Sequence, residues 1–105
     1  MRLMPVIKNL TEPEEKQFRE YLDEKLKRFK PMIESHYPDE DAVKLDARIR
    51  KHERHSAFEI ELMFDMPKAK FMSKEVKHTI TEAMDLATDR IEQQMVKHFK
   101  KKAKE

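Results

Sequence analysis

The sequence predicts an α+β domain with the element order β-α-β-β-β-α. Three observations predict it. Residues 43–50 and 58–64 alternate apolar and charged side chains, the period of a half-buried strand. Two longer stretches repeat apolar residues every three or four positions, the period of an amphipathic helix. A short apolar run, Leu3-Met4-Pro5-Val6-Ile7, opens the chain, and its proline suits an edge strand rather than a central one.

The first strand is placed at 2–8. Helix start signals follow: Thr11 as N-cap, Glu14 three residues later as its capping-box partner, and Pro13 in the first turn. Phe18, Leu22, Leu26, Phe29 and Ile33 then form one stripe, with an end or kink expected near Lys30 because Pro31 follows it. Residues 36–41 read as a loop. The two alternating runs pair as a hairpin, which sets Arg48 and Arg50 near Glu59 and Glu61 on a charged outer face. Met63 falls on that face too, as a candidate contact residue. After a turn at 65–68, residues 69–73 give a weaker fourth strand. A last helix from 79 to about 102 places Ile80, Met84, Ala87, Ile91 and Met95 on one side.

At 105 residues the chain accommodates one domain, 1–105, with a basic helical tail from about 97. Hydrophobic residues are 38% and charged residues 42% of it, so the core is thin and the surface dense with charge. The net charge is only +2, and the periodicity is that of a folded chain. There is no Cys, which removes disulfides, a thiolate nucleophile and Cys-based zinc sites. There is no Gly either, which removes Gly-dependent phosphate loops. No apolar run is long enough for a membrane span, and the first ten residues lack a signal-peptide core. The cytoplasm is the expected compartment.

Positive charge gathers in three places. Residues 11–24 hold six acids and two bases, whereas 25–30 hold Lys25, Lys27, Arg28 and Lys30 with no acid, a polarity that also complements the helix dipole. The hairpin brings Arg48, Arg50, Lys51 and Arg54 with His52 and His55. The chain closes on Lys97, Lys100, Lys101, Lys102 and Lys104. If both helices pack on the sheet, these clusters combine into a basic footprint for phosphates. The phenylalanines take core positions, which favours structured RNA over a stacked single strand.

Catalytic signals are missing. His52 and His55 stand at i, i+3 rather than the His-Glu-x-x-His spacing of a helical zinc site. The carboxylates fall on solvent faces with no apolar pocket to raise a pKa, and no serine has a base and an orienting acid beside it. The reading is a binding protein, not an enzyme, with no cofactor, metal or small-molecule substrate.

The segment from Ala83 to His98 resembles the last helix of the ribosome hibernation-promoting factors, also called ribosome-associated inhibitors or ribosomal subunit interface proteins. The resemblance rests on Ala83-Met84-Asp85, Asp89-Arg90-Ile91, Gln94 and the pair Lys97-His98. Glu24-Lys25-Leu26-Lys27-Arg28-Phe29 is similar to the family's first helix, and Lys51 falls where its hairpin often has Lys. The resemblance implies a four-stranded sheet with both helices on one face. It also implies binding to the small ribosomal subunit and its rRNA, in the channel used by mRNA and tRNA, so that translation is silenced in a stress response while the ribosome is stored. By carry-over, Lys25, Arg28, Lys51, Arg90, Lys97 and Lys100 are the expected rRNA contacts, and Lys101 is added on charge. Long members carry a second domain that pairs ribosomes; ending at Glu105, this chain looks like a short form, a monomer away from the ribosome. It departs from the family in its lack of Gly and in having Thr79-Ile80-Thr81 where many members have Asp-Met-Tyr.

Two other readings compete. A double-stranded-RNA-binding domain shares the α-β-β-β-α order, but needs a Gly-containing loop and a basic start to its final helix, whereas the basic run here lies at the other end. A protein-protein interaction module would use the lysine-rich end only for solubility.

Overall fold

In the computed structural model, which describes residues 1–54 and 56–103 and, at 40 and 101–103, the backbone alone, the predicted order is the observed one. Strand β1 (Arg2–Lys8) leads to helix α1 (Glu12–His36). A 3-10 turn (Glu40–Ala42) precedes β2 (Lys44–His52), β3 (Ala57–Met66), β4 (Ala69–Lys77) and helix α2 (Ile80–Ala103). The sheet runs β1-β2-β3-β4, with β1 parallel to β2 and the other pairs antiparallel. Helix α1 is the crossover a parallel pair requires.

Helix α1 starts as its sequence dictates: Thr11 Oγ1 accepts from the Glu14 backbone N–H, and Glu14 Oε1 accepts from the Thr11 backbone N–H at 2.9 Å. It does not end at Lys30 but continues through Pro31 to His36. Proline removes a backbone donor and costs about 3 kcal/mol in a helix interior. Phe29 and Ile33, buried on either side of it, offset that by roughly 1.5–3 kcal/mol each. The ring of His36 then stacks on Phe99 of α2, with centroids 4.1 Å apart.

One face of the sheet builds the core. Leu45, Ala47 and Ile49 of β2, Ile60, Leu62 and Phe64 of β3, and Phe71 of β4 are buried against the stripes of both helices. The stripe of α2 is the predicted one extended by a turn to Phe99. Two buried hydroxyls are satisfied locally: Ser73 donates to the Ala87 carbonyl and Thr88 to that of Met84, both at 2.8 Å. Strand β4 is four residues longer than expected. Its second half, Lys74-Glu75-Val76-Lys77, lacks an apolar alternation, and charge holds it instead: Lys74 is in register with Glu61 and pairs with Glu59 at 3.5 Å.

The opposite face carries the even-numbered residues of β1, β2 and β4 and the odd-numbered ones of β3, and Arg48 faces Glu61 and Arg50 faces Glu59 as the hairpin predicts. Both sheet edges are interrupted. On β1 the Arg2 N–H donates to Val43, so Leu3, Pro5 and Ile7 turn their backbone groups outward, and Pro5 has no N–H to offer. On β4 the Gln94 side chain accepts from the Met72 N–H and donates to the Met72 carbonyl, at 3.3 and 2.9 Å.

Without glycine, the left-handed backbone positions fall to Asn9, Ser56 and Lys68, with φ of 62°, 46° and 65°. Lys68 follows Pro67 in the two-residue β3–β4 turn, where glycine is the usual occupant. Each such residue costs on the order of 1 kcal/mol.

Candidate nucleic-acid interface

The two helices lie side by side and parallel, since Tyr21 and Lys25 meet Asp85, Arg28 meets Asp89 and Glu92, and His36 meets Phe99. The seam follows from spacing: Tyr21, Lys25 and Arg28 share one flank of α1, and Asp85, Asp89 and Glu92 share one flank of α2. Lys25 Nζ lies 2.7 Å from Asp85 and 5.3 Å from the Tyr21 ring centroid, and its side chain is 16% exposed. The Tyr21 hydroxyl donates to the same carboxylate at 2.5 Å. These two donors, Lys25 first, hold the Asp85 carboxyl below the usual range; their respective bonds to Asp85 hold the Lys25 ammonium and the Tyr21 phenol above theirs. Arg28 donates to Asp89 at 3.0 Å and to Glu92 at 3.1 Å, which raises its already high pKa.

Two further predicted cations are also paired. Lys51 Nζ lies 3.0 Å from Glu14 and over the Phe58 ring. The Thr11 N–H, and then Lys51, hold the Glu14 carboxyl low. Arg90 Nε lies 2.5 Å from Glu75, but off the line a hydrogen bond needs, so the contact is an ion pair alone. Lys97 and Lys100 are exposed and pair with no described acid. The side chains of Lys101 and Lys102, and His55 and Lys104 altogether, lie outside the described residues. His52 stands 3.5 Å from Glu59.

The three basic clusters do not converge on one spot. Lys51 sits beside Glu14 at the start of α1, whereas Lys97 and Lys100 flank Phe99, level with His36 at its end. That separation is roughly 33 Å along the helix at 1.5 Å per residue. Lys25 and Arg28 lie between. The arrangement is a line of cations along a molecule 48 Å in its longest dimension, each of the first four answered by an acid.

The residues that carry the sequence resemblance have structural work as well. Ala83, Met84 and Ile91 are core, Asp85 and Asp89 receive the cations of α1, Gln94 closes the β4 edge, and His98 packs edge-on against Phe71. Thr79, in the departing segment, caps α2 by accepting from the Glu82 N–H at 3.1 Å, and Ile80 is buried. What the sequence reading missed is the acid seam, although the i, i+4, i+7 spacing of Asp85, Asp89 and Glu92 is its signal. Among the described residues, no helix is long and apolar enough to cross a membrane.

Fold and seam together define a small α+β domain with cations strung along paired helices. The chain belongs to the family described as sigma 54 modulation protein / S30EA ribosomal protein, whose profile matches residues 13–103. Among solved structures it is similar to the N-terminal domain of Thermus thermophilus Protein Y, with 22% identity, a TM-score of 0.69 and coverage of 93% of this chain and 99% of that one. It is similar too to a ribosomal subunit interface protein from Coxiella burnetii, with 14% identity, a TM-score of 0.70 and coverage of 93% and 97%. At these identities the likeness is one of fold. Comparison with curated proteins gives no match.

Proposed function

We propose that this chain is a ribosome-binding factor that silences translation by occupying the mRNA and tRNA channel of the small subunit, held there by basic side chains on rRNA. The observation that carries this reading is the family match over residues 13–103. The ribosomal subunit interface protein that shares the fold supports it. So does the line of cations from Lys51 through Lys25, Arg28 and Arg90 to Lys97 and Lys100. Lys101 joins that footprint on charge. The chain works by binding in the cytoplasm, without catalysis, cofactor or small-molecule substrate, and is a monomer away from the ribosome.

Internal pairing does not disqualify these cations. Exposed ion pairs contribute only about 0–1 kcal/mol, so a phosphate that releases counterions competes with a carboxylate for the same guanidinium. Arg28, whose side chain is 44% exposed, meets that condition; Lys25, at 16%, reaches a phosphate only by leaving its pocket. The reading is tested by co-sedimentation of the protein with small ribosomal subunits, and with an unrelated RNA duplex, across a salt series. Strong preference for subunits, declining steeply with salt, is the expected result. Equal binding to the duplex would make this a general RNA-binding domain, and no binding at low salt would end the proposal. The variant Lys97→Glu, Lys100→Glu and Lys101→Glu keeps the apolar stripe of α2 and is expected to fold while losing subunit association.

A further inference from the structure

The helices and their acid seam occupy one side of the molecule; the other side is an uncovered sheet. On it stand seven basic and four acidic side chains from the four strands, while the whole chain has a net charge of only +2. The sheet face is therefore more positive than the protein as a whole, and the remainder is slightly acidic. Four of the six exposed large apolar side chains among the described residues also lie there: Met4 at 50%, Val6 at 39%, Met72 at 56% and Val76 at 47%.

The apolar groups are ordered. Met4, Met63 and Met72 share one cross-strand row, with Asp46 between the first two and held by Lys44. That row crosses four strands, roughly 14 Å at about 4.8 Å per strand, which is between two and three turns of a helix. Its flanking rows are Arg2-Lys44-Asp65-Lys70 on one side and Val6-Arg48-Glu61-Lys74 on the other, five cations to two carboxylates. A methionine row between flanks of net positive charge complements a helix whose apolar stripe is bordered by acids, and Met and Arg are among the residues enriched in protein interfaces.

Other occupants fit less well. None of the described Phe or Tyr residues lies on this face and His52 is its one described ring, so it offers single-stranded RNA no stacking platform, and a duplex has no use for exposed methionines. Self-pairing of the face would oppose its own excess of positive charge. The acidic outer surface of α1 on a second copy has the right charge, but its exposed residues around Glu12, Glu15, Glu20 and Asp23 include no large apolar side chain. We infer that the uncovered sheet face is a docking surface for an acidic amphipathic helix of another protein. The surface stands apart from the proposed rRNA footprint, so the protein has two sides for two partners.

The test is an amide-resolved NMR titration of the full chain with two peptides of identical Glu, Leu and Ala composition, each of about 20 residues so that a helix is accessible. In one the leucines form a single stripe bordered by glutamates; in the other the order is scrambled. The striped peptide is expected to shift amides of β1 to β4 and to bind at least about tenfold more tightly than the scrambled one. Met4→Asp with Met72→Asp, and separately Arg48→Glu with Lys74→Glu, are expected to weaken it by a similar factor, with circular dichroism verifying each fold. Equal affinity for both peptides would reduce the surface to nonspecific charge and overturn the inference. So would shifts confined to the helices, no shifts at all, or an RNA duplex perturbing the strands more strongly than the striped peptide. The peptide comparison uses the unaltered chain, so it stands even if a variant fails to fold.

Discussion

Asp85 joins two side chains of α1 to one position of α2. Its carboxylate receives the Tyr21 hydroxyl and the Lys25 ammonium of α1, and the Lys25 side chain is less exposed than that of Asp85 itself. Removing it leaves a mostly buried cation and a phenol without their acceptor, so Asp85→Ala is expected to lower stability at neutral pH by about 1–3 kcal/mol in urea unfolding. Asp85→Asn, which keeps an acceptor oxygen, should lose less. The pH dependence separates charge from packing. Because folding holds the Asp85 carboxyl below its ordinary value, the stabilisation is present above that value, near 3.9, and is lost as pH falls through the lowered one. Lys25 works at the other limit: its pKa is raised, so its contribution is present below about 10.4 and lost as pH rises through the raised value. Between these limits the pair is insensitive to pH. The acid limb of the unfolding profile should therefore be shallower in Asp85→Asn than in the unaltered protein, and identical limbs would mean that the carboxylate charge contributes nothing.

At the scale of elements, the signals legible in the sequence were local ones. A capping box involves residues three apart and a strand's alternation involves neighbours, so Thr11 with Glu14 and the runs ending at Arg50 and Phe64 announce themselves. What stayed hidden depended on partners distant in the chain. Pro31 argues locally for an end of α1, yet Ile33 two residues later is buried in a core assembled from β2, β3 and α2, and tertiary burial overrides the local preference. The second half of β4 is fixed by charges on β3, and its edge by a glutamine on α2, neither of which a periodicity reads. The override is measurable. If Pro31 is a tolerated defect, Pro31→Ala restores the missing donor in a helix that already has the correct path, and should raise stability by about 2–3 kcal/mol, with a higher midpoint of thermal unfolding. A neutral or destabilising result would mean that the helix geometry around residue 31 depends on the proline ring.

For the molecule as a whole, the candidate site was legible as a set of cations but not as an arrangement. The lysines and arginines gather visibly along the chain; the acids that answer them come 37 residues before Lys51 and about 60 after Lys25 and Arg28, so only folding reveals that they are pre-engaged. The same distance in sequence concealed that the hairpin and the end of α2 lie at opposite ends of the long axis. If the cations of α1 meet rRNA phosphates, Asp89 and Glu92 stand as internal competitors: they hold Arg28 and also repel an approaching phosphate. Neutralising both, as Asp89→Asn with Glu92→Gln, should tighten association with small subunits by about three- to tenfold at moderate salt, in line with the modest worth of such pairs. Glu20→Gln with Asp23→Asn is the control matched in charge, because both residues are exposed and Glu20 pairs only loosely with Lys16, at 4.0 Å. It changes net charge without freeing a candidate contact, and should leave affinity within about twofold. An equal gain from this control would assign the effect to net charge. No gain from the double variant, in a protein that does bind subunits, would remove Arg28 from the footprint.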